Sequence, residues 1–199
     1  VNCNRFLTFK KRYAMNYTLK EIKSCSATAE NPDALSGQGG KANNGRKGCP
    51  CVEPLAAGVT KTLLHKLGSG TIRKIWCTIP PEHPEHLRNL ILRMYWDGQE
   101  IPSVEVPLGD FFGIAHGRQK NMVTPYVGMQ DAKGFNCFIP MPFQKEVMIS
   151  IENDSDTDVD MFFYQIDFTL GDTHDENTGY FHAQFRRENP CEIKKDYTV

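Results

Sequence analysis

Between Leu90 and Trp96 apolar side chains fall on every second position. Leu90, Leu92, Met94 and Trp96 share one face, and Asn89, Ile91, Arg93 and Tyr95 the other. A period of two is the spacing of a strand with one face in a core. The next pair, Asp97-Gly98, readily takes positive φ in a tight reversal, so the chain turns back as a hairpin. Pro102 and Pro107 bracket the returning residues 103–106; neither can donate to a ladder, which confines the return to a short or edge strand. Residues 108–113, LGDFFG, then set a carboxylate beside two aromatics between glycines, a composition suited to a small polar-ligand site rather than a solvated linker.

Further strands are expected at short spacing. They are residues 60–66, 71–79, 135–141, 147–152 with Val147, Ile149 and Ile151 alternating, and 159–170 with Phe162, Tyr164, Ile166, Phe168 and Leu170 on one face. A turn is expected at residues 153–156. Only residues 82–88 and those just after Met15 have the makings of a helical turn. Many strands, Gly/Pro turns and no long amphipathic helix predict an all-β antiparallel sandwich.

The length, 199 residues, suits one domain of ordinary size. With 23 basic and 24 acidic side chains the net charge is -1, so no long-range field selects nucleic acid or an anionic membrane. No apolar run approaches the ~18 residues of a membrane span. Residues 1–14 read as an upstream or disordered segment, with translation starting at Met15, and carry neither a signal nor a transit pattern. The seven cysteines lack the spacing of a disulfide framework, so reduced thiols and a cytoplasmic location are expected. Cys49-Pro50-Cys51 lacks the further ligands of a zinc site and reads as a reduced loop pair; no cofactor and no metal are expected. Residues 31–48 are rich in Gly, Asn and Lys with little to bury, which suggests a flexible arm over 15–58 ahead of a β domain at 59–199.

Four blocks in order carry a resemblance: GTIRKIW at 70–76, the 90–113 run, GFNCFIPMPF at 134–143 and YFHAQFRRENP at 180–190. Together they resemble the domain-of-unknown-function family 2961, whose members have been reclassified as glycoside hydrolase family 172, acting on fructofuranose and arabinofuranose linkages. The resemblance covers about residues 26–199. It implies a jelly roll, the first of two β domains, and trimers or hexamers of the complete protein. It also implies a retaining mechanism whose catalytic glutamates follow Val199, and an N-terminal segment near the active centre or a neighbouring subunit.

The candidate sugar contacts each have a plainer reading. Asp110 with Phe111 and Phe112 could hold sugar hydroxyls beside stacking rings, or close the sandwich end as a packed loop. His116, between Gly113 and Gly117, is a polar site group or a surface histidine. Asn136 is a bidentate amide for a sugar or a satisfied sheet residue. Residues 180–187 alternate as a strand, putting Tyr180, His182, Gln184 and Arg186 on one polar face, expected to share a concavity with Asp110. Glu105, Glu152 and Asp167 form no defensible catalytic pair, so no catalytic residue is assigned. Two functions compete on this footing: a piece of a furanoside hydrolase, and a non-catalytic jelly-roll module for carbohydrate binding or assembly.

Overall fold

The structure, a computed structural model, describes residues 19–197 apart from Lys47, residues 81–83, Gln119 and Ala132. The expected upstream segment, the start at Met15, the helical turn after it and the beginning of the 82–88 turn lie outside the described residues. Twelve strands follow one another among those described. They are β1 (Lys23–Thr28), β2 (Thr60–Leu67), β3 (Gly70–Thr78), β4 (Leu90–Trp96), β5 (Val104–Pro107) and β6 (Met122–Val123). The rest are β7 (Val127–Gln130), β8 (Gly134–Cys137), β9 (Met141–Phe143), β10 (Glu146–Asn153), β11 (Phe163–Leu170) and β12 (Ala183–Gln184). Two single-turn helices, α1 (His86–Asn89) and α2 (Leu108–Phe111), flank the β4–β5 hairpin.

Two sheets form. One runs β1-β11-β3-β8-β7-β6, with β9 also on β3; the other runs β12-β5-β4-β10-β2. The pairings β1 with β11, β2 with β10, β3 with β8 and β4 with β5 are all antiparallel. They are the rungs of one long ribbon, doubled back at the β4–β5 turn and wound so that its halves fall in two facing sheets. That is a jelly roll, and the sandwich expected from the strand pattern is what forms.

The alternation in β4 is realised: Leu90, Leu92, Met94 and Trp96 are all buried. They meet Ile149 and Ile151 of β10 and a layer of wholly buried aromatics that includes Phe112, Phe135, Phe143, Phe162 and Phe168. Burial of each such ring contributes on the order of 1.5–3 kcal/mol, which outweighs the weak intrinsic preference of any single strand. Gly70 sits where β3 is most tightly enclosed: a Cβ there would lie 2.1 Å from the Thr169 carbonyl oxygen.

Several boundaries differ from expectation for local reasons. The expected arm contains β1, whose Ala27 is wholly buried and whose backbone pairs with β11 from Lys23↔Leu170 to Thr28↔Gln165. Residues 135–141 are not one strand, because the chain leaves β3 after Cys137 and rejoins it as β9, opposite Ile72. Residues 159–162 make isolated bridges, Val159 with Leu55 and Phe162 with Val52, before β11 begins.

Candidate functional site

The site is built where α1 and α2 touch. Leu87 and Leu108 are buried anchors of the two turns. A Cβ on Gly109 would come within 3.0 Å of Leu87 Cβ and 3.1 Å of its carbonyl oxygen, so glycine is what lets the turns meet. The residues next in the chain, Arg88 and Asp110, are thereby placed face to face, with Nε 2.9 Å from Oδ2. Both atoms are buried, and neither makes an aligned hydrogen bond, so charge rather than hydrogen-bond geometry holds the pair. The Arg88 guanidinium also lies over the Phe185 ring, 5.2 Å from its centre. Burial pushes the Asp110 carboxyl above its ordinary pKa, against the opposing pull of Arg88, of a backbone hydrogen bond and of His116.

His116 completes the cluster. Ile114 N–H donates to the Gly109 carbonyl at 2.8 Å, closing the loop after α2, and the next turn puts His116 at φ 61° beside Gly117 at φ 63°. A histidine held in the left-handed region is a local strain that the closed loop sustains. The imidazole is exposed and belongs to two concavities. One, of about 460 Å³, is walled by Arg88, Phe185, Arg186 and Arg187. The other, of about 480 Å³, is walled by residues 113–114, Arg118, Lys120, Asn121 and Met122.

The polar face expected at residues 180–187 is divided. Only Ala183 and Gln184 are paired, in parallel with Val104 and Glu105 of β5, although Phe181, Ala183 and Phe185 do turn inward as the alternation predicts. Tyr180 turns down to the hairpin, where its hydroxyl donates to Asp97 Oδ2 at 2.5 Å, and the Trp96 indole N–H donates to the Phe181 carbonyl at 2.8 Å. His182 and Gln184 line a separate recess of about 560 Å³ with residues 99–103. Arg186 lines the Arg88 concavity. His182 and Arg186 therefore reach different recesses.

Of the remaining expected contacts, Phe111 is half-buried and packs edge-on against Phe112 and Phe181. Phe112 is wholly buried and stacks on Phe135 at 5.6 Å, so its ring serves the core and offers no face to a ligand. Asn136 is buried in β8, and its amide donates to the Gly134 carbonyl at 3.1 Å. The residue that sequence reasoning missed is Arg88, read only as the end of a helical turn. No local pattern marks it, because its partner is 22 residues away in LGDFFG.

Several other carboxylates are engaged. Arg93 reaches Glu105 on β5, Nε to Oε2 at 2.7 Å, and Glu152 on β10. Burial works against the Arg93 charge, but hydrogen bonds to the two glutamates prevail and raise its pKa. Asp97 Oδ1 accepts three backbone amides, and Asp167 accepts Ser26 and Gln165. The Cys51 thiol is buried, which raises its pKa, and it lies 3.7 Å from Glu53. Among the described residues no group of three or more His, Cys, Asp or Glu side chains could hold a metal ion.

A family model described as GH172 domain-like matches residues 52–166, over half of the chain. This chain belongs to the GH172 domain-like family. The match spans β2 to β10 and includes Arg88, Asp110 and His116, while the strap at residues 180–187 follows it. No curated protein matches the chain. The GH172 domain-like family is glycoside hydrolase-related, which makes carbohydrate the chemistry against which these clefts are read. No helix among the described residues is long and apolar enough to cross a membrane.

Proposed function

We propose that this GH172 domain-like chain forms the jelly-roll portion of a retaining glycoside hydrolase acting on fructofuranose or arabinofuranose linkages. In this reading the cleft lined by Arg88 and His116, with Asp110 paired to Arg88, holds part of the sugar, and the catalytic carboxylates come from sequence other than these 199 residues. The complete enzyme is a homo-oligomer with carbohydrate as its substrate.

The carrying observation is a family match laid over a site that has polar groups for a sugar but no free carboxylate pair among the described residues lining it. Retaining glycosidases need two carboxyls about 5 Å apart, one attacking the anomeric carbon and one protonating the leaving oxygen. Glu105 and Glu152 are bridged by Arg93, which pairs with one oxygen of each and neutralises part of their charge. Asp110 has the raised proton affinity suited to an acid, yet it lines neither concavity beside His116, and among the described residues no carboxylate lines either one. Arg88 and His116 supply donors suited to furanose hydroxyls.

The test uses the purified 199-residue chain with 4-nitrophenyl arabinofuranoside and a fructofuranosyl disaccharide. No turnover is expected, whereas a neutral arabinofuranosyl trisaccharide should shift the NMR signals of Arg88 Nε–H and His116. Turnover that is lost in Glu105→Gln with the fold intact would relocate the chemistry to this chain. Absence of any shift at Arg88 and His116 would remove the cleft from the sugar site.

A further inference from the structure

The two concavities that share His116 have a composition that neutral-sugar binding does not require. Arg88, Arg186 and Arg187 wall one, and Arg118 and Lys120 the other. Five cationic side chains thus line the two concavities that share one histidine, in a chain whose overall charge is -1. No carboxylate appears among the described lining residues of either concavity; Asp110, the partner of Arg88, lines neither. Like charges brought together raise the energy of the free protein, and an incoming anion relieves that repulsion. Arg186, Arg187, Arg118 and Lys120 are all exposed, so their charges face solvent and an incoming ligand.

We propose that these joined concavities bind an oxyanion carried on a sugar, a carboxylate or a sulfate ester, with Arg186 and Arg187 on one side of His116 and Arg118 and Lys120 on the other. Guanidinium groups present paired N–H donors that match the two oxygens of a carboxylate or sulfate. Recesses of about 460 and 480 Å³ are of ligand-site size and suit a short oligosaccharide lying across His116. Nucleic acid fits less well, because single strands bind by stacking bases on open aromatic faces. Phe185, the aromatic among the described lining residues of these recesses, is half-buried with the Arg88 guanidinium over its ring. This inference rests on the carbohydrate reading of the cleft and specifies the charge of the sugar that enters it.

Calorimetry on the full 199-residue chain would compare trigalacturonic acid, its methyl ester, a sulfated trisaccharide of the same length, a neutral arabinofuranosyl trisaccharide and the hexanucleotide dT6. One of the two acidic sugars should bind at least tenfold more tightly than the methyl ester, and which one does so identifies the oxyanion. The double variant Arg186→Gln/Arg187→Gln, altered only at exposed positions, should reduce that sugar to the affinity of the ester. NMR on the unmutated chain gives an independent readout, with shifts expected at Arg186, Arg187, Arg118 and His116. Equal affinity for acid and ester, retention of the preference in the double variant, shifts confined to other residues, or dT6 binding as tightly as the acidic sugars would each overturn the proposal. Binding of the neutral trisaccharide without any acidic preference would overturn this inference alone and leave the furanoside reading standing. Acidic sugars binding while the neutral furanoside does not would do the reverse.

Discussion

Asp97 joins three parts of the molecule, and its removal should be costly out of proportion to its exposure. It is the first residue of the β4–β5 turn, at φ 56°. Its Oδ1 accepts the amides of Gln144 at 3.0 Å, Lys145 at 2.7 Å and Glu146 at 3.1 Å, and its Oδ2 accepts the Tyr180 hydroxyl. Each such bond contributes about 1–1.5 kcal/mol net, and water can replace part of it at the more exposed amides, leaving roughly 2 kcal/mol for the set. Alanine at positive φ adds about 1 kcal/mol. Asp97→Ala should therefore cost about 3 kcal/mol, and the melting temperature of a domain this size should fall by about 6–12 °C. Asp97→Asn keeps Oδ1 and tolerates the left-handed backbone, so it should lose only the charge assistance, about 1 kcal/mol.

The pH dependence of that difference follows from the pKa. Burial alone would raise the Asp97 carboxyl, but the Tyr180 hydroxyl and the three amides hold it below its ordinary value of 3.8. A depressed carboxylate contributes stability that is present above 3.8 and lost as pH falls through the folded value. The advantage of the native chain over Asp97→Asn, measured by urea denaturation, should thus be full at pH 6 and shrink below pH 3.8. Equal midpoints for Asp97→Ala and Asp97→Asn, or a native advantage that grows on acidification, would refute the reasoning.

The Tyr180 phenol, pushed up to about 12 by its hydrogen bond to Asp97, should titrate nearer its ordinary value in Asp97→Asn when followed by ultraviolet absorbance. Gly70→Ala forces a Cβ to 2.1 Å from the Thr169 oxygen and 2.6 Å from Phe143 Cζ, so it should lower stability by more than about 3 kcal/mol and reduce yield of folded protein. Phe112→Ala should cost about 3–5 kcal/mol in denaturation while leaving NMR-detected sugar contacts at His116 in place, because its ring is in the core.

The parts of the fold legible in the sequence are those where large apolar residues alternate over a full strand. β4, β10 and β11 could be read directly, and the β4–β5 hairpin followed from Asp97-Gly98. β1 escaped because its inward positions are Cys25 and Ala27, too small to mark a core face, and its pairing with β11 is a consequence of topology. In the site, Asp110 and His116 stood out through unusual local chemistry. Arg88 did not, since only the approach of Gly109 to Leu87 brings it to Asp110. The strap was read with the right alternation but credited with one groove, because periodicity fixes which way side chains point and says nothing of how far apart the recesses are.

The pairing of β1 with β11 also sets a schedule for the chain as it leaves the ribosome. Ser26 meets Asp167 across 141 residues, and at roughly 5–20 residues per second that separation takes about 7–30 s to synthesise. Throughout that interval the first strand has no partner on its own sheet, and pairing at such range is slow in its own right. An unpaired strand is a template for association with other nascent chains. Here the strand that waits longest is KSCSAT, with only a cysteine and an alanine turned inward, so it has little apolar surface with which to find the wrong neighbour.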